Sequence, residues 1–477
     1  MADGIDAVEI VYNNVSSVDD SSIICLNPPV NNKPSADNYL SSVITLVNCT
    51  IGVNVLIMPK LFHLCGVWLG SLLLLMFALI NLISSSMLCR ASDLLGINSY
   101  FEICERIFKG KTRYAIHAVF ILLLLGKILC YHAFVHHSIN LVVEHVFLAG
   151  HNSSTVATLT RLVISIACNL CILPFVFERK LKTAKLLSKL CTLGIASGIT
   201  LMMGAYLFPS LLLNEPPQVD VRDTVYANFK GIYAAMGVFM LSYCYQLVIV
   251  DVNQEAKPKN GKTANIIITA SCLLSFAIYL VVSMIGYSIT LENHEDVDKL
   301  TNVLGYLVVY KINYSLLACI VYILITVAIA LSNVINYLPL IRFLNWKLNT
   351  TSAALSPKLL GELNLGASAN EYELTDEEFD SNYTKVYNSI VIGSYLVVLS
   401  ITMLLAVLNV RVEIVFDVVS AACVSPVCIL IPAYIYMHAV RNTDIKAQSY
   451  TDLISAYGVA GIGAGLWALS IYAVFKA

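Results

Sequence analysis

Charge is scarce in this chain. Asp, Glu, Lys and Arg together make up 13% of the 477 residues, whereas hydrophobic residues make up 58%. Soluble domains usually carry about 25% charged residues, so the composition excludes an ordinary water-soluble fold. The chain also lacks a Walker A sequence for ATP phosphates, a paired CxxC zinc pattern, and the HExxH and GxSxG motifs of hydrolases. We therefore expect no ATP-driven pump, no enzyme, no metal centre or other cofactor, and no nucleic-acid partner.

Long apolar segments occupy most of the chain. A helix needs about 18 or more apolar residues to cross the hydrocarbon core of a bilayer, and about eleven segments reach that length. They lie near residues 39–65, 67–90, 114–148, 159–178, 186–213, 229–252, 263–290, 302–334, 384–409, 412–438 and 453–475. The predicted fold is therefore an all-α integral membrane protein, with the lipid bilayer as its surroundings.

The polar segments predict how the chain is organised around the membrane. Residues 1–38 read as a disordered cytosolic tail without a cleavable signal peptide, followed by a transmembrane domain over residues 39–477. A cytosolic loop is predicted at about 345–383, between helices 8 and 9. Lys and Arg concentrate in the connections on the side of the tail, which predicts a cytosolic N-terminus and an external or luminal C-terminus. The plasma membrane and a vacuolar or other endomembrane fit this topology equally well.

Two of the predicted spans carry polar residues where the bilayer is thickest. The first span contains NCTIGVN, residues 48–54, and the sixth contains SYCYQ, residues 242–246. Backbone leaves the helical path inside a bilayer only where protein encloses it, because unpaired amides and carbonyls in lipid are costly. If the first broken span begins a five-helix unit, an inverted repeat would place its counterpart at the sixth span, where the second interruption lies. The alternative for the first span is a kinked helix that packs through Gly52.

Broken helices of this kind suit a zwitterionic α-amino acid. Amides at the start of the outer half-helix, near Val53 to Val55, would bind a carboxylate at the positive end of the helix dipole. Carbonyls at the end of the inner half-helix, around Val47 to Cys49, would bind an ammonium group or a cation. The residues predicted to bind substrate from the two breaks are Asn48, Thr50, Ile51, Gly52, Val53, Asn54, Phe239, Ser242, Tyr243 and Gln246.

The first and sixth spans resemble those of the amino acid/auxin permease family, whose members are secondary transporters of amino acids. The first helix of that family carries N-x-x-x-G-x-x-x-L-x-x-P, which stands here at Asn48, Gly52, Leu56 and Pro59. The sixth span, GVFMLSYCYQLVIVDVNQEAKPK, is similar to the family's polar break followed by an acidic and amide stretch and a basic-proline signal. The seventh span contains the family's Gly-Tyr pair at 286–287.

This resemblance covers residues 38–475 and implies a leucine-transporter-type fold, with two inverted five-helix repeats plus one C-terminal helix. Substrate would lie between the breaks of helices one and six, with helices three, eight and ten behind it. By the same resemblance, Tyr131 on helix three would bond the substrate carboxylate. The chain departs from many relatives at Phe239-Met240-Leu241 in helix six, so the resemblance does not identify the amino acid.

Candidates for ion coupling lie on helices three, eight and ten. Lys127 is a charge inside the membrane and therefore a functional candidate, either as a coupling group or as a substrate-facing cation. The alternative is a lysine that snorkels or pairs with Asp417. His132 and His136 share a helix face and would titrate near neutral pH, or would simply be polar residues near the outer end. By resemblance, the hydroxyl of Thr326 or of Ser332 would complete a sodium site.

The leading hypothesis is a secondary active amino acid transporter that works by alternating access and is coupled to protons or sodium. A membrane amino acid sensor, which would bind ligand at the same site without transporting it, is the alternative. The sequence leaves open which amino acid binds, the coupling ion, the direction of net flux and the oligomeric state.

Overall fold

The structure, a computed structural model, describes residues 36–147, 163, 166–167, 170, 173–174, 181–208, 231–255, 261–290, 305, 319–334, 336–337, 339–340, 343–344, 376–407, 412–442 and 450–476. Within these ranges the regular elements are helices, and none is a strand. Residues 1–35 of the predicted tail at 1–38, and residues 345–375 of the predicted loop at 345–383, lie outside the described residues, whereas residues 36–38 belong to the first helix.

The described helices follow the predicted apolar segments along the chain. In order they are α1 (Ala36–Ile51), α2 (Asn54–Cys65), α3 (Val67–Leu95), α4 (Tyr100–Ile107), α5 (Gly110–Phe147), α6 (Leu181–Leu207), α7 (Gly231–Leu241), α8 (Gln246–Glu255), α9 (Gly261–Thr290), α10 (Cys319–Val334), α11 (Asp376–Val407), α12 (Val412–Val419), α13 (Ile431–Asn442) and α14 (Tyr450–Lys476). Helix α11 includes residues 376–383, which the sequence assigned to the loop.

Seven spans in the described part of the chain are long and apolar enough to cross a membrane. Residues 231–253, from α7 into α8, count as one of them, and so do residues 414–441, from α12 into α13. The number rises to eight when α1 and α2, which are bent by 51° at their junction, count as one broken span. Two shorter apolar helices, α10 and residues 391–404 of α11, fall within further predicted spans. The chain is therefore a multi-pass membrane protein. The predicted span at 159–178 falls largely outside the described residues, and the count of about eleven spans stays a prediction.

Large apolar side chains cover the outside of the helix bundle. On α3 the exposed residues recur every three or four positions and form one stripe: Trp68, Leu72, Leu75, Leu79 and Ile83. Trp68 is 71% exposed. Soluble proteins rarely present an apolar surface of this extent to water, whereas the hydrocarbon of a bilayer accommodates it. The exposed stripe thus faces lipid, and the opposite side of α3 packs into the protein.

Helices α12 and α13 form one span that widens in the middle. Ser420–Val424 and Pro426–Leu430 are π-helical, so some carbonyls lose the usual helical partner. Side chains from neighbouring helices compensate, because Tyr100 donates to the Val427 carbonyl at 2.7 Å and Ser84 donates to the Cys428 carbonyl. The widened backbone is therefore enclosed by protein, as the bilayer requires.

Glycines let several helices approach one another closely. A Cβ atom added at Gly194 on α6 would overlap the methyl group of Ala328 on α10, and one added at Gly286 on α9 would overlap the ring of Pro59 on α2. Small residues at such contacts allow helix backbones to pack tightly where no hydrophobic effect drives association. The sequence alone does not distinguish these closely packed glycines from Gly393, where an added Cβ atom would have no heavy atom within 4 Å.

We expect Gly194→Ala to lower the melting temperature of the detergent-solubilised protein, since overpacking a close contact costs about 1–3 kcal/mol. Gly393→Ala is the matched control and should leave the melting temperature unchanged or raise it, because Ala favours helix by up to about 1 kcal/mol over Gly. Equal effects of the two substitutions would contradict the close α6–α10 contact.

Candidate functional site

The first interruption lies between α1 and α2. Gly52 and Val53 separate the two helices, and Gly52 has a φ of +26°, which side-chain-bearing residues rarely adopt. The break is shorter than the sequence predicts, because Thr50 and Ile51 complete the last turn of α1 and Asn54 begins α2. The Thr50 hydroxyl donates to the Val47 carbonyl at 2.6 Å and so satisfies an acceptor near the end of α1.

The second interruption lies between α7 and α8, at residues 242–245. The amide of Cys244 donates to the Leu241 carbonyl at 3.1 Å, and the amide of Tyr245 donates to the side-chain oxygen of Gln246 at 3.2 Å. The amide group of Gln246 in turn donates to the side-chain oxygen of Asn81 on α3. Gln246 therefore fixes the end of the break to a neighbouring helix.

Lys127 connects the two interruptions. It lies on α5 and is 6% exposed, and its Nζ is 3.0 Å from the Cys49 carbonyl and 3.0 Å from the Cys244 carbonyl. Two of its three donors thus bind one acceptor from each broken helix. The sequence left open a pairing with Asp417, but these hydrogen bonds go to backbone carbonyls. Because a single ammonium group reaches both, the two breaks face each other across a short distance.

Tyr279 of α9 forms a second connection between the breaks. Its hydroxyl is 2.5 Å from the Thr50 carbonyl and 3.1 Å from the Ser242 carbonyl. The ring of Tyr243 packs edge-on against that of Tyr279, with centroids 5.7 Å apart. One turn earlier on α9, the Ser275 hydroxyl is 2.8 Å from the Thr50 hydroxyl. Helix α9 therefore supplies polar partners to both breaks, and sequence reasoning missed it.

Tyr131 lies one turn beyond Lys127 on α5 and is 1% exposed. A Cβ atom at position 52 would overlap its hydroxyl, so the phenol lies directly against the first break. Among the described residues the hydroxyl has no hydrogen-bond partner, although Ser332 and Asn336 lie beside it. The arrangement places a buried hydroxyl beside the start of α2.

Asn48 and Ser332 connect the first broken helix to α6 and α10. The side-chain amide of Asn48 donates to the Thr192 hydroxyl at 2.9 Å, and the Ser332 hydroxyl is 3.5 Å from the Asn48 carbonyl. Thr326, the other hydroxyl proposed for a sodium site, donates within its own helix to the Tyr322 carbonyl at 2.9 Å. Of the two predicted candidates, Ser332 is therefore the one that reaches α1.

The remaining residues predicted at the breaks point in several directions. The ring of Phe239 stacks on the ring of Phe77 of α3, with the two centroids 6.4 Å apart. The Ser242 hydroxyl donates back to the Val238 carbonyl at 2.6 Å. The side-chain amide of Asn54 is 3.4 Å from the Thr50 carbonyl. Ile51, Val53 and Tyr243 are buried.

The predicted coupling residues other than Lys127 lie around this centre. His132 Nε2 is 3.1 Å from the Tyr337 hydroxyl, and the imidazole packs edge-on against Tyr395 of α11. His136 Nε2 accepts a hydrogen bond from Asn140 at 2.9 Å. Asp417 lies on α12 opposite Gly237 of α7, where an added Cβ would be 2.8 Å from the carboxylate.

Comparison with known protein families fits this geometry. A family model described as "Transmembrane amino acid transporter protein" matches residues 36–476, nearly the whole chain. The chain belongs to that family. The resemblance noted from helices one, six and seven is thus confirmed.

The chain is also similar to solute carrier family 38 member 10 from Homo sapiens and from Pongo abelii. In both cases the match is 22% identical over 246 residues, which is 51% of this chain and 21% of the relative. The matched region is thus about a fifth of each relative's length. Conclusions about this protein therefore rest on the family match and on its own residues.

Removing the Tyr279 hydroxyl tests the connection between the breaks. We expect Tyr279→Phe to destabilise the protein by about 1–3 kcal/mol, because the Thr50 and Ser242 carbonyls lose a buried donor. Thermal unfolding in detergent measures the effect. Tyr206→Phe, at a residue that is 48% exposed, is the control and should leave the melting temperature unchanged. A Tyr279→Phe protein as stable as the wild type would show that the two carbonyls do not depend on this hydroxyl.

Proposed function

We propose that this protein is a secondary active transporter of amino acids that works by alternating access. The observation that carries the proposal is the pair of broken helices, α1/α2 and α7/α8, which bring polar backbone together in a protein of an amino acid transporter family. Non-helical backbone at this depth requires a protein-enclosed site. In transporters with inverted repeats, such breaks form the substrate site near the middle of the bilayer.

The two ends of an amino acid find complementary groups at this site. The buried Tyr131 hydroxyl and the first amides of α2 suit the carboxylate, which helix N-termini attract. The Cys49 and Cys244 carbonyls suit the α-ammonium group, since each already accepts a hydrogen bond from an ammonium donor. In the proposed site, residues 48–54 at the first break and residues 242–246 at the second surround these groups.

The wider architecture belongs to the same proposal. It comprises about eleven helices arranged as two inverted five-helix repeats with one additional C-terminal helix. The residues before 39 and the loop near 345–383 would be cytosolic, with the C-terminus on the external or luminal side. The breaks lie in the first and sixth predicted spans, and that spacing supports the repeat. The membrane is either the plasma membrane or a vacuolar or other endomembrane.

Two groups of residues offer routes for ion coupling. The Ser332 hydroxyl and the Asn48 carbonyl meet between α10 and α1, and this juxtaposition of oxygens suits sodium. His132 is buried and bonded to Tyr337, which suits proton exchange. Transport measured at two pH values, with and without sodium, separates the two couplings.

Counterflow in proteoliposomes tests the proposed function. We expect vesicles preloaded with an unlabelled amino acid to accumulate the labelled form faster than unloaded vesicles, with a panel of amino acids identifying the substrate. Accelerated exchange requires the site to open to each side in turn. Saturable binding without accelerated exchange would contradict transport and indicate a sensor. Neither binding nor exchange for any member of the panel would contradict the amino acid site itself.

Gly52→Ala should reduce uptake by about ten-fold or more while the protein still reaches the membrane. The new methyl group would overlap the Tyr131 hydroxyl and force a side chain into the φ of +26°. Gly96→Ala is the matched control, because Gly96 has a φ of +66° but nothing within 4 Å of its Cβ position. The control introduces backbone strain without contacting the site. Uptake lost equally in both variants would attribute the effect to strain and not to the break.

A further inference from the structure

The ammonium end of the proposed site already contains an ammonium group. Lys127 donates to the Cys49 carbonyl and to the Cys244 carbonyl, at 3.0 Å in each case. These are the acceptors that an amino acid would use for its own α-ammonium group. We propose that Lys127 is a tethered competitor for the ammonium half of the substrate site, which an amino acid must displace in order to bind. This inference rests on the proposed amino acid site and assigns a role to one side chain within it.

The surroundings of Lys127 support a mimic of substrate rather than half of an ion pair. The titratable groups that face the ammonium are the thiols of Cys49, Cys244 and Cys428 and the phenol of Tyr131. They come from α1, from the second break, from the π-helical turns before α13 and from α5 itself. The hydrogen bonds of the ammonium go to carbonyls of the two broken helices, as they would for a bound substrate.

The carboxylate end of the site is built differently. Tyr131, one turn from Lys127 on α5, carries a buried hydroxyl without a hydrogen-bond partner among the described residues. That hydroxyl lies against Gly52 at the start of α2. The protein therefore fills the ammonium half of the site with its own side chain and leaves a donor for a carboxylate. A carboxylic acid without an amino group complements this arrangement directly.

Two ammonium groups cannot share the same pair of carbonyls, because like charges at that separation repel strongly in a buried site. Lysine has a flexible four-carbon stem, so its Nζ can leave while the helix stays in place. An amino acid must consequently displace Lys127, whereas a deamino acid binds beside it and gains its positive charge. Lys127 thereby sets how strongly the site prefers an amino acid over the matching carboxylic acid.

Paired ligands test this preference. We use leucine and 4-methylpentanoate, alanine and propanoate, and glutamine and 4-carbamoylbutanoate, and measure the dissociation constants for wild type and Lys127→Met. The preference is the dissociation constant of the deamino acid divided by that of the amino acid. We expect this ratio to rise about ten-fold or more in Lys127→Met, a change of the size that one strong interaction produces. The control is Lys60→Met, which removes another buried lysine, on α2, that is 6% exposed. It should leave the preference unchanged.

An unchanged preference in Lys127→Met would overturn the proposal, and so would a shift toward the deamino acid. Loss of binding for both members of a pair in a folded Lys127→Met protein would also overturn it, because a competitor is dispensable for binding. The wild type gives an independent reading if that variant does not fold. Under the proposal the wild type prefers the amino acid by less than ten-fold, because the displacement of Lys127 offsets the bonds that the α-ammonium group gains, and a preference of ten-fold or more would contradict the competitor role.

Chemical rescue tests the ammonium site without any amino acid. Lys127→Ala removes three carbons and the amine, and propylammonium replaces these atoms. We expect millimolar propylammonium to raise the melting temperature of Lys127→Ala saturably, by at least twice its effect on wild type, because a ligand that binds the folded state stabilises it. Propanol, which has the same shape without the charge, should not do so. An equal response to propylammonium and propanol would overturn the proposal.

The rescue also separates this inference from the proposed function. If propylammonium rescues Lys127→Ala but proteoliposomes show no counterflow, the ammonium site is supported and transport is contradicted. If counterflow occurs but propylammonium does not rescue Lys127→Ala, transport is supported and the role of Lys127 as a competitor is contradicted. The rescue requires no amino acid ligand, so its failure overturns the inference even if none of the three ligand pairs binds.

Discussion

The fold depends on one constraint, that every backbone amide and carbonyl inside a bilayer needs a partner from the protein. Continuous helices meet this requirement within themselves, and broken helices do not. In this protein the carbonyls exposed by the first break are bound by Lys127 and Tyr279, and each of these side chains also binds a carbonyl of the second break. The two breaks are therefore stable only as a pair held between α5 and α9.

This shared pairing explains why polar chemistry concentrates at one place in an otherwise apolar protein. The same groups that satisfy the backbone are those that a small zwitterion can use, because carbonyl oxygens accept from ammonium groups and helix N-termini attract carboxylates. Under the proposed function, structural stability and ligand recognition thus draw on one set of hydrogen bonds. A ligand bound at the proposed site would replace partners that the protein supplies for itself, and the balance between the two would set the affinity.

The sequence predicts the helices and the two breaks because those depend on local composition. Gly52 within an apolar run signals the first break, and Ser242 to Gln246 signal the second. Lys127 stands out as a charge among leucines. Tyr279 carries no such signal, because it is one of 26 tyrosines and its role depends on the position of α9 beside both breaks. The π-helical turns around Pro426, and the shorter extent of the first break, likewise follow from packing between distant segments, which one sequence does not reveal.

Gly52 and Tyr131 make contact although many residues separate them along the chain, and this contact limits how the protein can vary. Any side chain larger than hydrogen at position 52 requires a smaller one at position 131, so these two positions form one steric unit. A larger side chain at position 52 combined with a smaller one at position 131 would remove the phenol hydroxyl from the start of α2. The size of the residue in the first membrane helix thereby determines which polar group the third can present, and covariation of the two positions would be its evolutionary signature.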